Sequence, residues 1–84
     1  MSRITVRYFA SVREAIGQAS EQVDTRAGTL AALRDELIAR GPTHAAALAR
    51  GKAVRMALDQ IMRNEDAELR EGSEVAFFPP VTGG

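Results

Sequence analysis

The chain has 84 residues, of which 45% are hydrophobic and 26% charged, with eleven basic side chains against eleven acidic ones. That length suits a single domain with one small core, and that mix excludes a disordered chain. The balanced charge leaves no field strong enough to hold nucleic acid or an anionic membrane.

Cysteine is absent and histidine occurs once, as His44. Disulfides, thiolate metal sites, iron–sulfur clusters, a cysteine nucleophile and a histidine-based metal cluster are therefore not expected. No apolar run is long enough to span a bilayer, and Met1-Ser2-Arg3-Ile4 leads straight into an alternating segment. This reads as an unexported, cytoplasmic chain.

Arg3 to Ala10 alternates, with Ile4, Val6 and Tyr8 on one face, which predicts a strand. Ser11 offers an N-cap for a short helix over Val12–Ile16, and Gly17 suits its C′ position. Ser20–Thr25 is a more polar strand, expected near a sheet edge. Gly28-Thr29 leads into the clearest helix, where Leu30, Leu33, Leu37 and Ile38 form one stripe. Gly41-Pro42 is expected to stop it through a left-handed cap. Thr43 would cap a second short helix over His44–Arg50, ended by Gly51. Ala53–Leu58 alternates as a strand, Asp59-Gln60 bends, and Ile61-Met62 reads as a short strand beyond. A polar connection follows, with Leu69 as its plug. Glu74–Phe78 is the final strand, and Pro79-Pro80 ends its pairing because neither residue can donate to a ladder. A sheet packed on the Leu30–Ile38 helix is an α+β arrangement. Pattern alone leaves the strand order open.

Side-chain chemistry is sparse. Asp35-Glu36 and Glu65-Asp66 lie in polar stretches and read as solvated charge, and His44 as a surface histidine. The glycines lack the spacing of a phosphate-binding loop. The last residues differ, since Gly83-Gly84 follows a strand and two prolines. At a glycine frequency near ~7%, a terminal pair arises by chance in roughly 0.5% of chains. Two glycines before a carboxylate are slim, adaptable and leave the carbonyl carbon uncrowded. Extended, residues 81–84 reach roughly 13–14 Å, enough to enter another protein's active site while the globule stays outside. The chemistry would then belong to the partner.

Three segments carry a family resemblance. Tyr8-Phe9-Ala10-Ser11-Val12-Arg13-Glu14, Thr29-Leu30-Ala31-Ala32-Leu33 and above all Gly72-Ser73-Glu74-Val75-Ala76-Phe77-Phe78-Pro79-Pro80-Val81-Thr82-Gly83-Gly84 resemble the small subunits of molybdopterin synthase. These are ubiquitin-like β-grasp sulfur carriers. The Gly-Gly end is shared by ubiquitin-like carriers generally, and the Phe77–Val81 run points to the molybdopterin branch. Asp59 stands where the family often has Asn, and Ser73 where Asp is common.

The resemblance implies a β-grasp domain over residues 1–80, a mixed sheet packed on one main helix. Residues 81–84, Val81, Thr82, Gly83 and Gly84, would form a flexible tail carrying the reactive carboxylate. Gly84 would be adenylated by a ubiquitin-activating-type enzyme using MgATP, then converted to a thiocarboxylate by a sulfur donor protein. The tail would enter the large synthase subunit, in a heterotetramer, and hand sulfur to a cyclic pyranopterin phosphate. No cofactor would be bound by the domain itself, and no catalytic side-chain site or metal is implied.

Strand parity adds a surface. Phe9 is out of phase with Ile4, Val6 and Tyr8, and Phe78 with Val75 and Phe77, which sets two large aromatics on the sheet face opposite the helix. Such a cluster fits a partner interface. The resemblance adds Arg13 and Met62, with Pro79 and Pro80 beside them. Three other readings stay open at this level: a carrier for thiamine or tRNA thiolation, a protein modifier joined to lysines through Gly84, and a β-grasp binding module without covalent chemistry.

Overall fold

Period-two alternation places Ile4, Val6 and Tyr8 on the buried face of the first strand, β1 (Ser2–Tyr8), while Arg3 and Arg7 face solvent. The computed structural model describes residues 2–80, and these form five strands and three helices. The remaining elements are α1 (Ala10–Ile16), β2 (Ser20–Thr25), α2 (Leu30–Ile38), α3 (Pro42–Leu48), β3 (Arg55–Leu58), β4 (Ile61–Met62) and β5 (Glu74–Phe78). The sheet order is β2-β1-β5-β3-β4.

β2 runs antiparallel to β1 from Ser2↔Thr25 to Arg7↔Ser20 and forms one edge of the sheet, as its polarity predicts. β5 enters the middle of the sheet. It lies parallel to β1, from Thr5↔Glu74 to Tyr8↔Phe77, and antiparallel to β3, from Arg55↔Phe78 to Leu58↔Val75. β3 and β4 form a tight hairpin through Asp59 and Gln60, both at positive φ (49° and 70°), the backbone of a type I′ turn.

The stripe on α2 buries Leu30, Leu33 and Leu37 against Ile4, Val6, Val23, Val75 and Phe77. Val12 and Ile16 of α1 and Ala47 and Leu48 of α3 extend this core. Leu69 packs against it as expected, but the deeper plug in that connection is Ala67. The Ala67 carbonyl accepts from Leu30 N at 3.0 Å, and Thr29 bridges Glu68.

Five local expectations are corrected. Ser11 does not cap α1; the helix starts at Ala10 after an extended Phe9 that makes no side-chain cap bond, because Ala10 turns the chain sharply at φ 51°. Gly17 does take the left-handed position, φ 89°. Gly41 is not a left-handed cap for α2, which ends at Ala39 in right-handed geometry; Gly41 instead precedes Pro42 as the N-cap of α3. Thr43 therefore lies inside α3, and that helix ends at Leu48 rather than Arg50. β3 begins at Arg55, two residues later than its alternation suggests.

The early end of α3 has a physical cause. Arg34, 5% exposed, donates from Nε to the Leu48 carbonyl (2.8 Å) and from Nη2 to the carbonyls of Ala49 (2.9 Å) and Lys52 (3.2 Å). A guanidinium fork from α2 thus satisfies oxygens that a longer helix would have bonded internally.

Candidate functional site

Phe77 is buried between β1 and β3, so the side chains of its neighbours Ala76 and Phe78 point to the other sheet face. Arg55 stands opposite Phe78, Ala57 opposite Ala76, and Met62 opposite Ala57. Their shared parity puts Arg55, Phe78 and Met62 on the face away from α2. Phe9 follows the last residue of β1, and its N–H donates to the Phe77 carbonyl at 3.1 Å. It is 39% exposed, and the Arg7 guanidinium sits over its ring, 5.1 Å from the centroid. That is a cation–π contact on the surface. Arg7 also lies 3.5 Å from Glu74 across the neighbouring strand.

Arg13 is exposed on α1, one turn beyond Phe9, and its N–H donates to the Phe9 carbonyl at 3.3 Å. Met62 is 61% exposed on β4, and Ile61 beside it 63%. Phe78, Pro79 and Pro80 are half-buried. Phe9 and Phe78 each follow a residue of the Tyr8↔Phe77 pair, with Arg13 next to Phe9, whereas Met62 lies on the far side of β3. The expected tail, Val81, Thr82, Gly83 and Gly84, lies outside the described residues. β5 carries the chain to it from the centre of the sheet.

Sequence reasoning missed two contributors to this face, Arg7 and Arg55. Ile61 pairs with Leu58 and so shares the parity of the α2-facing residues; it is exposed because β4 is a two-residue edge strand with little to cover it. Arg7 and Arg55 were readable from parity: each sits in phase with the outward residues of its strand.

A second cluster joins the elements behind β1. Tyr8 Oη donates to Glu21 Oε2 at 2.7 Å, His44 Nε2 donates to the same oxygen at 2.9 Å, and Arg40 Nη1 donates to Glu21 Oε1 at 2.8 Å. His44 is therefore not the surface residue expected, but a half-buried bridge from α3 to β2, edge-on to the Tyr8 ring. Burial acts to raise the Glu21 pKa, but the hydrogen bonds from His44 and Tyr8 and the Arg40 charge outweigh it and hold the carboxyl below its usual range. Burial, then the Glu21 hydrogen bond, pushes the Tyr8 phenol well above its ordinary value. A carboxylate saturated by three donors is a poor general base, so this cluster ties elements together rather than moving protons.

Of the acidic pairs, Asp66 is exposed as expected, while Asp35, Glu36 and Glu65 are engaged. Thr25 Oγ1 donates to Glu36, Arg50 pairs with Asp35 at 2.9 Å, and Arg50 also pairs with Glu65. No group of three or more His, Asp or Glu side chains able to hold a metal ion occurs among the described residues. No helix among them is long and apolar enough to cross a membrane.

Comparison with known proteins agrees with this geometry. Residues 6–84 match the ThiS family. The molybdopterin synthase sulfur carrier subunit of Escherichia coli is 43% identical over 81 residues, covering 96% of this chain and 99% of that protein. A candidate molybdopterin converting factor subunit 1 from Pyrococcus furiosus superposes with TM-score 0.80 at 25% identity, covering 96% of this chain and all (100%) of that one. The same fold occurs in the complex of subunits 1 and 2 of molybdopterin-converting factor from Helicobacter pylori, with TM-score 0.67, 23% identity and coverage of 98% and 99%. With a full-length relative at that identity and a family match spanning nearly all its residues, the chain belongs to the ThiS family, among the molybdopterin synthase sulfur carrier subunits.

Proposed function

We propose that this chain carries sulfur as a C-terminal thiocarboxylate on Gly84 and delivers it to a pyranopterin phosphate held by the large subunit of a molybdopterin synthase. The observation that carries the reading is that the family match runs through residue 84 and so includes the Gly-Gly end, together with a relative named as a sulfur carrier subunit.

The chemistry follows from the terminal group. A carboxylate is a poor electrophile, because its charge is delocalised and oxide is a poor leaving group. An activating enzyme would join the Gly84 carboxylate to the α-phosphate of MgATP, releasing pyrophosphate and forming an acyl-adenylate. Sulfur from a donor protein's persulfide would attack the acyl carbon and expel AMP. Reduction of the resulting acyl disulfide by a thiol would leave the thiocarboxylate. This group is a soft nucleophile at neutral pH and returns to carboxylate after transfer. Glycine at the last two positions leaves the acyl carbon open to each of these partners.

The chain's own contribution is presentation. β5 is held on both edges, by β1 and β3, so the segment leading to residue 81 starts from a fixed point beside Phe9 and Phe78. Those residues, with Arg13 and Met62, would seat the domain on its partners while residues 81–84 reach inward. The relative named as a subunit, and the fold shared with a two-subunit complex, support a large-subunit partner.

Intact mass tests the proposal. After incubation with an activating enzyme, MgATP and a sulfur source, the chain should gain about sixteen mass units, the replacement of one oxygen by sulfur, placed at Gly84 by fragmentation. Unchanged mass, or a gain placed elsewhere in the chain, overturns it.

A further inference from the structure

A cleft opens where the sheet loses its edge. β4 is only two residues long, and after Met62 the chain stays with β3 for one more bond, from Arg63 N to the Met56 carbonyl at 3.2 Å. It then turns away to α2, where the Glu65 carbonyl accepts from Ala31 N at 2.8 Å. Between the start of β3 and this departing segment lies a cavity of about 300 Å³, lined by Arg34, Arg55, Met56, Arg63, Asn64 and Glu65 among others. A second hollow of about 210 Å³ shares Arg55, Met56, Arg63 and Asn64 and extends toward Met62.

The lining is strongly biased in charge. Three arginines and a single carboxylate residue line the cleft, Arg34 from α2 and Arg55 from the start of β3, an excess of two positive charges in a chain whose eleven basic and eleven acidic residues otherwise cancel. The carboxylate is also drawn aside, since Glu65 pairs with Arg50. Arg55 and Arg63 are exposed, and neither makes an ion pair among the described residues. Arg34, buried beside them, has placed Nε and Nη2 on backbone carbonyls. Its Nη1 has no hydrogen-bond acceptor among the described residues, the nearest carboxylate oxygen, Glu65 Oε1, standing 3.8 Å away. One guanidinium whose Nη1 is held only by the long Glu65 contact, beside two exposed unpaired ones, is a donor set open to an acceptor.

We propose that this cleft binds a small tetrahedral dianion of the phosphate class, as the free ion or as the phosphate group of an ester. Two negative charges match the excess, and four oxygens can take donors from three directions, whereas a carboxylate offers one charge and two oxygens in a plane. Burial, and then the Arg50 charge, lower the Arg34 pKa, so an added dianion would relieve that site as well. The proposal uses no part of the terminal carboxylate, and it stands whether or not Gly84 carries sulfur.

The test is a titration of the ¹⁵N-labelled chain, following backbone amides and arginine Nε–H signals at constant ionic strength. Inorganic phosphate, methyl phosphate and acetate are the titrants. Saturable shifts at residues 34, 55, 56 and 63–65 with phosphate are expected, at least tenfold weaker with acetate. An Arg55→Gln/Arg63→Gln double variant should weaken phosphate binding at least tenfold. Both positions are exposed, so its own spectrum verifies the fold without disturbing the Arg34 clamp. Methyl phosphate bound as tightly as the free ion assigns the cleft to an ester, and bound tenfold more weakly, to the free ion. Linear shifts alike for all three anions overturn the proposal, as does unchanged affinity in the double variant. Acetate bound as tightly as phosphate also overturns it, making the cleft a seat for a protein carboxylate.

Discussion

Arg34 occupies the i+4 position of the stripe that also holds Leu30, Leu33 and Leu37, so the helical period alone sends a guanidinium into the core. Its aliphatic stem packs there while the fork holds three carbonyls between Leu48 and Lys52. Hydrogen bonds to a charged group contribute about 1.5–3 kcal/mol each when removal strands the partner, though neighbouring bonds are not additive. Arg34→Met should therefore lower stability by about 2–4 kcal/mol, read as an earlier urea midpoint with unchanged slope. Glu21 gives a pH-dependent counterpart. Its folded pKa lies below the ordinary 4.5, so as pH falls the unfolded chain takes up the proton first. The carboxylate's contribution is complete above that ordinary value and is lost as pH drops through the folded one. Urea midpoints measured from pH 6 down to 3 should fall less steeply for Glu21→Gln than for the unsubstituted chain, and the variant should be the less stable of the two at pH 6. Neither role was read from the sequence, for different reasons. The Arg34 signal was present as a charge on an apolar stripe. The bridge through His44 joins residues from three separate elements, and local pattern holds no record of such a meeting.

At the level of elements, periodicity was informative wherever one face is buried and the other wet. β1, β2, α2 and β5 follow from it because their alternation or stripe is the burial pattern itself. Boundaries set by backbone turning were less legible: a serine in the right place did not cap α1, since Ala10 had already turned the chain at positive φ. The strand order was not legible at all, because parallel pairing of β5 with β1 depends on contacts between the two ends of the described chain. The β3–β4 hairpin offers a clean test. Asp59 tolerates left-handed geometry and its Oδ1 accepts from Glu74 N at 2.9 Å, but Gln60 holds φ 70° with no such help. Gln60→Gly should stabilise the fold by about 0.5–1 kcal/mol, the left-handed strain removed outweighing the entropy that glycine adds to the unfolded chain. A thermal midpoint a few degrees higher is the expected result.

On the scale of the molecule, one sheet face is committed to the core and the other carries an aromatic–basic patch of Arg7, Phe9, Arg55 and Phe78. If that patch seats a partner, Phe9→Ala should weaken association with a molybdopterin synthase large subunit at least tenfold, the mark of an aromatic anchor. Because Phe9 is substantially exposed, the thermal midpoint should move by only a few degrees, and calorimetry of the two proteins reads the affinity. The parity that identifies this face was legible in the sequence; the exposure of Ile61, on the opposite parity, was not, because it reflects how little of the edge β4 covers. The placement of β5 has one more consequence. The last-made of the described strands fills the gap between two strands made before it, so the earlier segments have no complete sheet to join until it arrives. A nascent chain halted before Glu74 would remain open and protease-sensitive, and any enzyme that recognises the finished sheet would overlook it.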